Sequence, residues 1–407
     1  MSRALRRLLL ADDAARVDQG LALAKALDDG AAIDALLAET TIRGGRLVPG
    51  RPFLAAAGRQ PLRDRALRGL LAAHPEPSRR AAIRRLRVFG AARQGDAKLA
   101  PEGGTLPRFL GLRSLELLHL ARLPRALPAG LRRLRVRDVD DPALIATLAA
   151  RAGAGLRWLD LERVPLESLD GLEGLPQLRG LALRGLRRLG SLAGLSGHPS
   201  LRALVLQRLG LPATPIPRLP RLVALRLEGG PAHVALTPES TPSLRRFAAR
   251  DPGDPTLEGL FAHPSVAHVR IEGALRLLRL AGAAACRGLR HVELLHCAKV
   301  DLRGLADAPA LETLVLRGSV AVELGALAGA PRLRRVAVRL PHVDLGPLRD
   351  LPALEVVDLR GGPPPRDLDA LVGLPLRRLE LEPRYRAAVP EALRSLLPPA
   401  TPGGGAR

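Results

Sequence analysis

One hexad, apolar at its first, fourth and sixth places, recurs along this chain at nearly constant spacing. Its copies begin at Leu112, Leu131, Leu156, Leu178, Leu201, Leu222, Leu244, Val266, Leu289, Leu311, Leu333, Leu354 and Leu376. The first and last lie 264 residues and twelve steps apart, a mean of 22, and only the two earliest steps, of 19 and 25, stray by more than one. A unit this short cannot bury its own apolar face, so it must stack on its neighbours. Inside each hexad the fourth and sixth residues, such as Leu159 and Leu161 or Val336 and Val338, alternate with polar ones, the signature of a short half-buried strand. Strands of this length do not stand alone, so thirteen of them are expected to pair in parallel. The rest of each unit, as in Pro165 to Pro176 or Val300 to Pro309, carries Leu at three- to four-residue spacing and often a Pro before the next hexad. That suits a single helical or 3₁₀ turn on the outer side.

From Leu112 to about Leu381 the pattern resembles the leucine-rich repeat family, and among its length classes the 22-residue, SDS22-like type, here in bacterial guise. The resemblance implies an α/β fold: a solenoid bent into a horseshoe, with the parallel sheet on its concave side and a helical cap at its N-terminus. The family places Asn at the ninth position, where its amide binds turn backbone. Here that place holds Leu120, Val139, Val164, Leu186, Leu209, Cys297 or Ser319, and the chain contains no Asn. Buried backbone groups left unpaired cost about 1–3 kcal/mol each, so looser turns than the family norm are expected.

Residues 1–105 read as a helical N-terminal cap region, with an irregular first repeat at 83–88 in IRRLRV. Asp12 or Asp13 is placed to cap a helix through Leu27, a second helix spans Ala31 to Leu37, and Pro61 to His74 is amphipathic. Such helices cover the open edge of a first strand, although a separate interaction domain is the alternative. Residues 106–397 form the solenoid with a C-terminal helical cap at Val389 to Leu397; QGDAKLAPEGGT at 94–105 is a loop by composition, and 398–407 is a Pro/Gly tail expected to be disordered.

The formal charge of +23 points toward an acidic partner surface or nucleic acid. Composition supplies a second origin. Of the 63 basic residues 60 are Arg, Ile occurs six times, and Ala, Gly and Pro abound, which are the residues of GC-rich codons. Cys286 and Cys297 show neither metal nor redox spacing and read as reduced core residues. The start, MSRALRRLLLADD, carries too brief an apolar run for an export signal, and no apolar stretch is long enough to span a bilayer, so the cytoplasm is the expected location.

No catalytic signature is present. Lys25, Lys98 and Lys299 each follow Ala instead of Gly, which excludes a Walker loop, and neither H-E-x-x-H nor G-x-S-x-G occurs. Only about ten residues follow the last helix, leaving no room for a downstream catalytic domain. The chain therefore reads as a non-enzyme without a cofactor, a scaffold or adaptor for an unidentified protein bound on the concave face. Electrostatic binding of nucleic acid or an acidic surface is the alternative, through a border of Arg at the second hexad position in nine of thirteen units: Arg113, Arg132, Arg157, Arg179, Arg202, Arg245, Arg290, Arg334 and Arg377.

The third, fifth and seventh positions project from the sheet, and their 39 places hold 13 Arg and nine acidic residues, a mixed face. Trp158, the sole Trp, occupies a third position. Arg133 lies at the same place one rung earlier, within stacking reach, and Gly180 one rung later leaves room beside the ring. With Arg135, Arg137, Asp160, Glu162 and Arg184 around it, this is the candidate partner-binding hot spot, since Trp and Arg dominate interface energetics. His268 and His291 share the third position on adjacent rungs and read as a stacked pair before a metal site.

Overall fold

A computed structural model of the chain describes residues 3–11, 13–27, 33, 37, 41–43, 46–48, 60–73, 84–89, 106–152, 155–211, 215–229, 236–252, 258–280, 282–318, 321–340, 343–364 and 366–398. The chain divides into two compact units, Met1–Leu201 with Leu209–Leu211, and Arg202–Arg208 with Pro212–Arg407.

The first unit begins with helices α1 (Arg3–Leu9) and α2 (Ala14–Leu27), where the Ala15 N–H donates to Asp13 Oδ1 at 2.9 Å. An antiparallel pair follows, β1 (Thr41–Arg43) and β2 (Arg46–Val48), and then helix α3 (Gln60–Ala73). Val17 and Ala24 of α2 and Ala66, Leu67 and Leu70 of α3 are buried, and Arg65 pairs with Asp18 across the two helices at 2.7 Å. The helix expected over 31–37 lies largely outside the described residues, as do the loop at 94–105 and the tail beyond Pro398. Strand β3 (Arg85–Phe89) aligns Leu86 with Leu115 and Val88 with Leu117 of β4 (Ser114–Leu118). Continuing in parallel are β5 (Arg133–Arg137), β6 (Trp158–Glu162) and β7 (Gly180–Arg184). The longest step, 25 residues, accommodates an outer helix, α4 (Leu144–Ala152), whose Leu144, Ile145 and Leu148 are buried.

The second unit carries β8 (Ala203–Gln207), β9 (Ala224–Glu228), β10 (Arg246–Arg250), a short helix α5 (Glu258–Phe261) and β11 (His268–Glu272). After these come β12 (Leu277–Arg279), β13 (His291–Leu295), β14 (Lys299–Asp301), β15 (Thr313–Arg317), β16 (Ala321–Val322), β17 (Arg335–Arg339), β18 (Val356–Asp358) and β19 (Arg378–Glu380). All strands from β8 onward pair in parallel, but β12, β14 and β16 leave the main order and form a small sheet of their own. That sheet modifies the reading of Val300 to Pro309 as a helical or 3₁₀ turn: Lys299–Asp301 is extended, and the turns follow it, closed by the Leu305 N–H bond to Leu302 O at 3.0 Å and the Ala308 N–H bond to Leu305 O at 3.1 Å. β-branched Val300 and Val322 in register explain the preference. Apart from α4 and α5, many outer segments contain short 3₁₀ turns, such as Leu172–Gly174, Leu324–Leu327 and Gly346–Asp350. The C-terminal cap is two 3₁₀ segments, Pro383–Ala388 and Glu391–Leu396, with Leu393 buried.

Each of the thirteen strands begins at the third hexad position. The fourth and sixth residues form the core, from Leu115 and Leu117 to Leu379 and Leu381, with Leu227 alone among them half-buried. The turns are better knit than the missing Asn suggested. The eighth residue adopts a left-handed backbone in eleven of thirteen units, by Gly at 185, 229, 273, 318 and 361 and by His119, Asp138, Arg163, Arg208, Asp251 and His296. In that conformation its N–H points along the stack to the seventh carbonyl of the next rung: His119 to Arg137 at 2.9 Å, Asp138 to Glu162 at 3.0 Å, Arg163 to Arg184 at 2.8 Å. In the opposite direction the Asp140 N–H reaches back to Leu120 O of the preceding rung at 3.3 Å. Backbone thereby supplies what the family's amide would, and the ninth position is free to be apolar: Leu120, Val139, Val164 and Leu186 are all buried.

Candidate functional site

Parallel register from β4 to β7 sets the candidate residues side by side. Arg133, Trp158 and Gly180 align at the third position, Glu116, Arg135, Asp160 and Ala182 at the fifth, and Arg137, Glu162 and Arg184 at the seventh. The fourth and sixth positions face the core, so these odd ones lie on the opposite side of the sheet, where Gly180 and Ala182 are covered and the charged residues reach solvent. The Arg133 guanidinium carbon stands 5.9 Å from the centroid of the Trp158 ring. The other side of the ring rests on Gly180. A Cβ there would lie 2.0 Å from Trp158 Cε3 and 2.2 Å from Cζ3, so only glycine admits the ring in this position. Trp158 is half-buried and Gly180 buried beneath it.

The charged residues named around the ring, Arg135, Arg137, Asp160, Glu162 and Arg184, are bound to one another. Arg135 reaches three carboxylates, Glu162 at 2.7 Å, Glu116 at 3.4 Å and Asp160 at 3.8 Å. Arg137 Nε lies 3.2 Å from Glu162 Oε1, and Arg184 Nε donates to Asp160 Oδ1 at 3.2 Å. Arg163, at an eighth position the sequence did not single out, grips Asp138 through Nε and Nη2 at 2.7 and 2.6 Å and extends the network along one border. His119 joins it through Nδ1, 3.1 Å from Asp138 Oδ2. Hydrogen bonding from Arg163 holds the Asp138 carboxyl below its usual value, whereas burial pushes Asp160 up against the pull of Arg184 and Arg135. An open groove of about 450 Å³ lies beside this border, lined by His119, Asp138, Arg163, Gly185, Arg187 and Arg188 among others.

The same pairing runs through the second unit. Arg250 meets Glu272 at 3.3 Å, Arg270 meets Glu293 at 3.2 Å, Arg226 pairs with Glu228, and Arg360 meets Asp358 at 2.9 Å. His268 and His291 lie with ring centroids 5.8 Å apart and planes tilted by 38°. No group of three or more metal-capable side chains occurs among the described residues. All nine arginines of the second position are exposed. The backbone carbonyls of seven of them, all but Arg179 and Arg377, accept from the next rung among the described residues, as where Arg157 and Trp158 N–H both donate to Arg132 O at 2.9 Å. Of the border side chains, Arg290 pairs with Glu312 at 2.9 Å and Arg377 with Glu355 at 3.8 Å. No helix among the described residues is long and apolar enough to cross a membrane.

No protein-family model and no curated protein matches the sequence. Among solved structures the chain is similar to TLR13 in its complex with ssRNA13, at a TM-score of 0.54 and 16% identity over 77% of this chain, which spans about half (48%) of that one. It is also similar to an internalin, InlF, from Listeria monocytogenes str. 4b F2365, at a TM-score of 0.44 and 16% identity, over 91% of this chain and 92% of that one. The likeness to TLR13 together with the parallel strand order shows a leucine-rich repeat solenoid.

Proposed function

We propose that this leucine-rich repeat protein is a docking scaffold without chemistry of its own, of the SDS22-like class and working in a cytoplasm, and that it holds a protein partner on the concave, solvent-facing side of its sheet with Trp158 as anchor. The supporting observation is the seat of the ring. The chain's one Trp is laid on a glycine that could be no other residue, with Arg133 over it, and Arg133 makes no ion pair among the described residues. A large amphipathic ring, held rigid and open on one side, presents contact area at little entropic cost, whereas the surrounding charges satisfy each other and form the polar rim. Two buried free thiols suit a reducing compartment. The near-regular step of 22 and the 3₁₀ outer turns support the class.

The test begins with affinity capture and mass spectrometry to identify the partner. Trp158→Ala is then expected to weaken binding of the isolated partner by about 2 kcal/mol or more with no change in fold. Unchanged affinity rejects the anchor.

A second reading rests on the nine exposed arginines of the border, six of which, Arg132, Arg157, Arg179, Arg202, Arg245 and Arg334, have neither an ion-pair nor a side-chain hydrogen-bond partner among the described residues. TLR13, of the same fold, was solved with single-stranded RNA. Salt titration separates the two readings. A phosphate-tracking surface loses affinity steeply as ionic strength rises, with a slope set by the number of neutralised phosphates, while a protein interface anchored on an aromatic residue responds weakly.

A further inference from the structure

Thirteen arginines project from the solvent side of the sheet, and nine of them are taken up by carboxylates. Arg133 covers Trp158, and Arg246 has no ion-pair partner among the described residues. The other two exceptions, Arg317 of β15 and Arg339 of β17, are in register at the seventh position of adjacent strands. Neither guanidinium has an ion-pair or hydrogen-bond partner among the described residues, and the Nε atom of each is shielded from solvent and unsatisfied. The neighbouring carboxylates are engaged elsewhere. Asp358 accepts from Arg360 through both oxygens at 3.0 and 2.9 Å, so Arg339 feels it only at longer range, and Glu293 holds Arg270. On the other side the seventh position is Leu295. Between the two arginines the floor is apolar, Val315 and Ala337, and Arg335 stands at the near edge with its nearest carboxylate 4.0 Å away.

Two permanently charged forks rooted on strands about 4.8 Å apart, each with an unsatisfied buried N–H, form a receptor for carboxylate, since a guanidinium binds that group through two parallel hydrogen bonds. We propose that Arg317 and Arg339 receive Asp or Glu side chains from a short acidic segment of a partner polypeptide. Charge on either side decides the class of occupant. The acidic Glu293 and the buried Asp358 and Glu380 flank the pair, so a continuous phosphate backbone would run into carboxylates after two rungs, whereas one or two acidic side chains fit between them. The inference adds a second contact to the scaffold proposed above and shares with it the premise of a protein partner, but not the Trp158 anchor.

The test uses the full chain and a fluorescein-labelled twelve-residue peptide of alternating Glu and Ser, read by anisotropy at physiological salt. Saturable binding is expected, weakened at least tenfold in Arg317→Gln/Arg339→Gln. It is expected to persist in Arg132→Gln/Arg157→Gln/Arg179→Gln, which removes border charge alone, and in Trp158→Ala, so failure of this site and failure of the anchor read differently. Thermal unfolding of the double Gln variant is expected at an unchanged or higher temperature, because two unpaired like charges are relieved. No saturable binding, equal binding by wild type and the double variant, equal loss in the border variant, or tighter binding of a twelve-nucleotide single-stranded RNA each overturns the assignment. A lowered unfolding temperature in the double variant overturns it too, because it makes the arginines structural.

Discussion

Replacing Gly180 with Ala puts one methyl group where the Trp158 ring lies. The new Cβ would stand 2.0 and 2.2 Å from Cε3 and Cζ3, both ring atoms that cannot yield without moving the whole indole. Overpacking of this kind costs about 1–3 kcal/mol. Alanine in a strand recovers about 0.5–1 kcal/mol of the backbone entropy that glycine loses on folding, and Gly180 is not in the left-handed region, so no backbone strain is added. The expected net effect is a destabilisation of about 1–2 kcal/mol, with the ring displaced toward water and away from Arg133. Because Trp158 is the only Trp, its emission reports that displacement without interference and should shift to longer wavelength. In a Trp158→Ala background the obstruction is gone, and Gly180→Ala should become stabilising by about 0.5–1 kcal/mol, a change of sign. Urea unfolding followed by far-ultraviolet circular dichroism measures the four corners of the cycle. Equal effects of Gly180→Ala in both backgrounds, with an unshifted emission spectrum, would refute the account of how the ring is seated.

Three other outcomes follow from the packing and charge. Cys286 and Cys297 are fully buried, their thiols pushed up by burial, so neither should react with a thiol reagent at pH 8 until denaturant is added, when two equivalents per chain should appear. Asp138 is held low by Arg163; its contribution is present above the unfolded carboxylate value near 3.9 and is lost as pH falls through the lower folded value. Asp138→Asn should therefore flatten the stability profile below about pH 4 while costing no more than about 1 kcal/mol at neutral pH, the pair being exposed on the Arg163 side, and an unchanged acid limb would contradict the pairing. Leu120→Asn restores the family's residue at the ninth position, yet Leu120 is buried and the turn donors beside it are already bonded, so a loss of about 2–5 kcal/mol in urea is expected, and a gain would show the turns unsatisfied.

The alternation of apolar residues with a step of 22 was enough to determine which side chains are inside and which rungs adjoin, because parallel register leaves one way to bury both Leu159 and Leu161 on every neighbour. It also placed Arg133, Trp158 and Gly180 in one row, since equal offsets in consecutive hexads become neighbours across the sheet. The extended course of Lys299–Asp301 was not legible, for a three-residue run has no period long enough to separate strand from turn. Nor was the knitting of the turns. An Asn ladder can be seen missing in a sequence, but the bond from His119 N–H to Arg137 O arises only when a left-handed residue meets the rung beyond it.

Charge separates the two levels most plainly. Counting residues shows a mixed face with four more Arg than acids, and that sum is indifferent to arrangement. In space Arg135 finds three carboxylates and Arg317 none, although both stand on the same side of a strand in similar hexads. Hydrogen bonds and ion pairs act over a few ångströms, so which arginines are spent on the fold and which are left for a partner depends on side-chain reach across neighbouring rungs, a distance that exists only once the strands have paired.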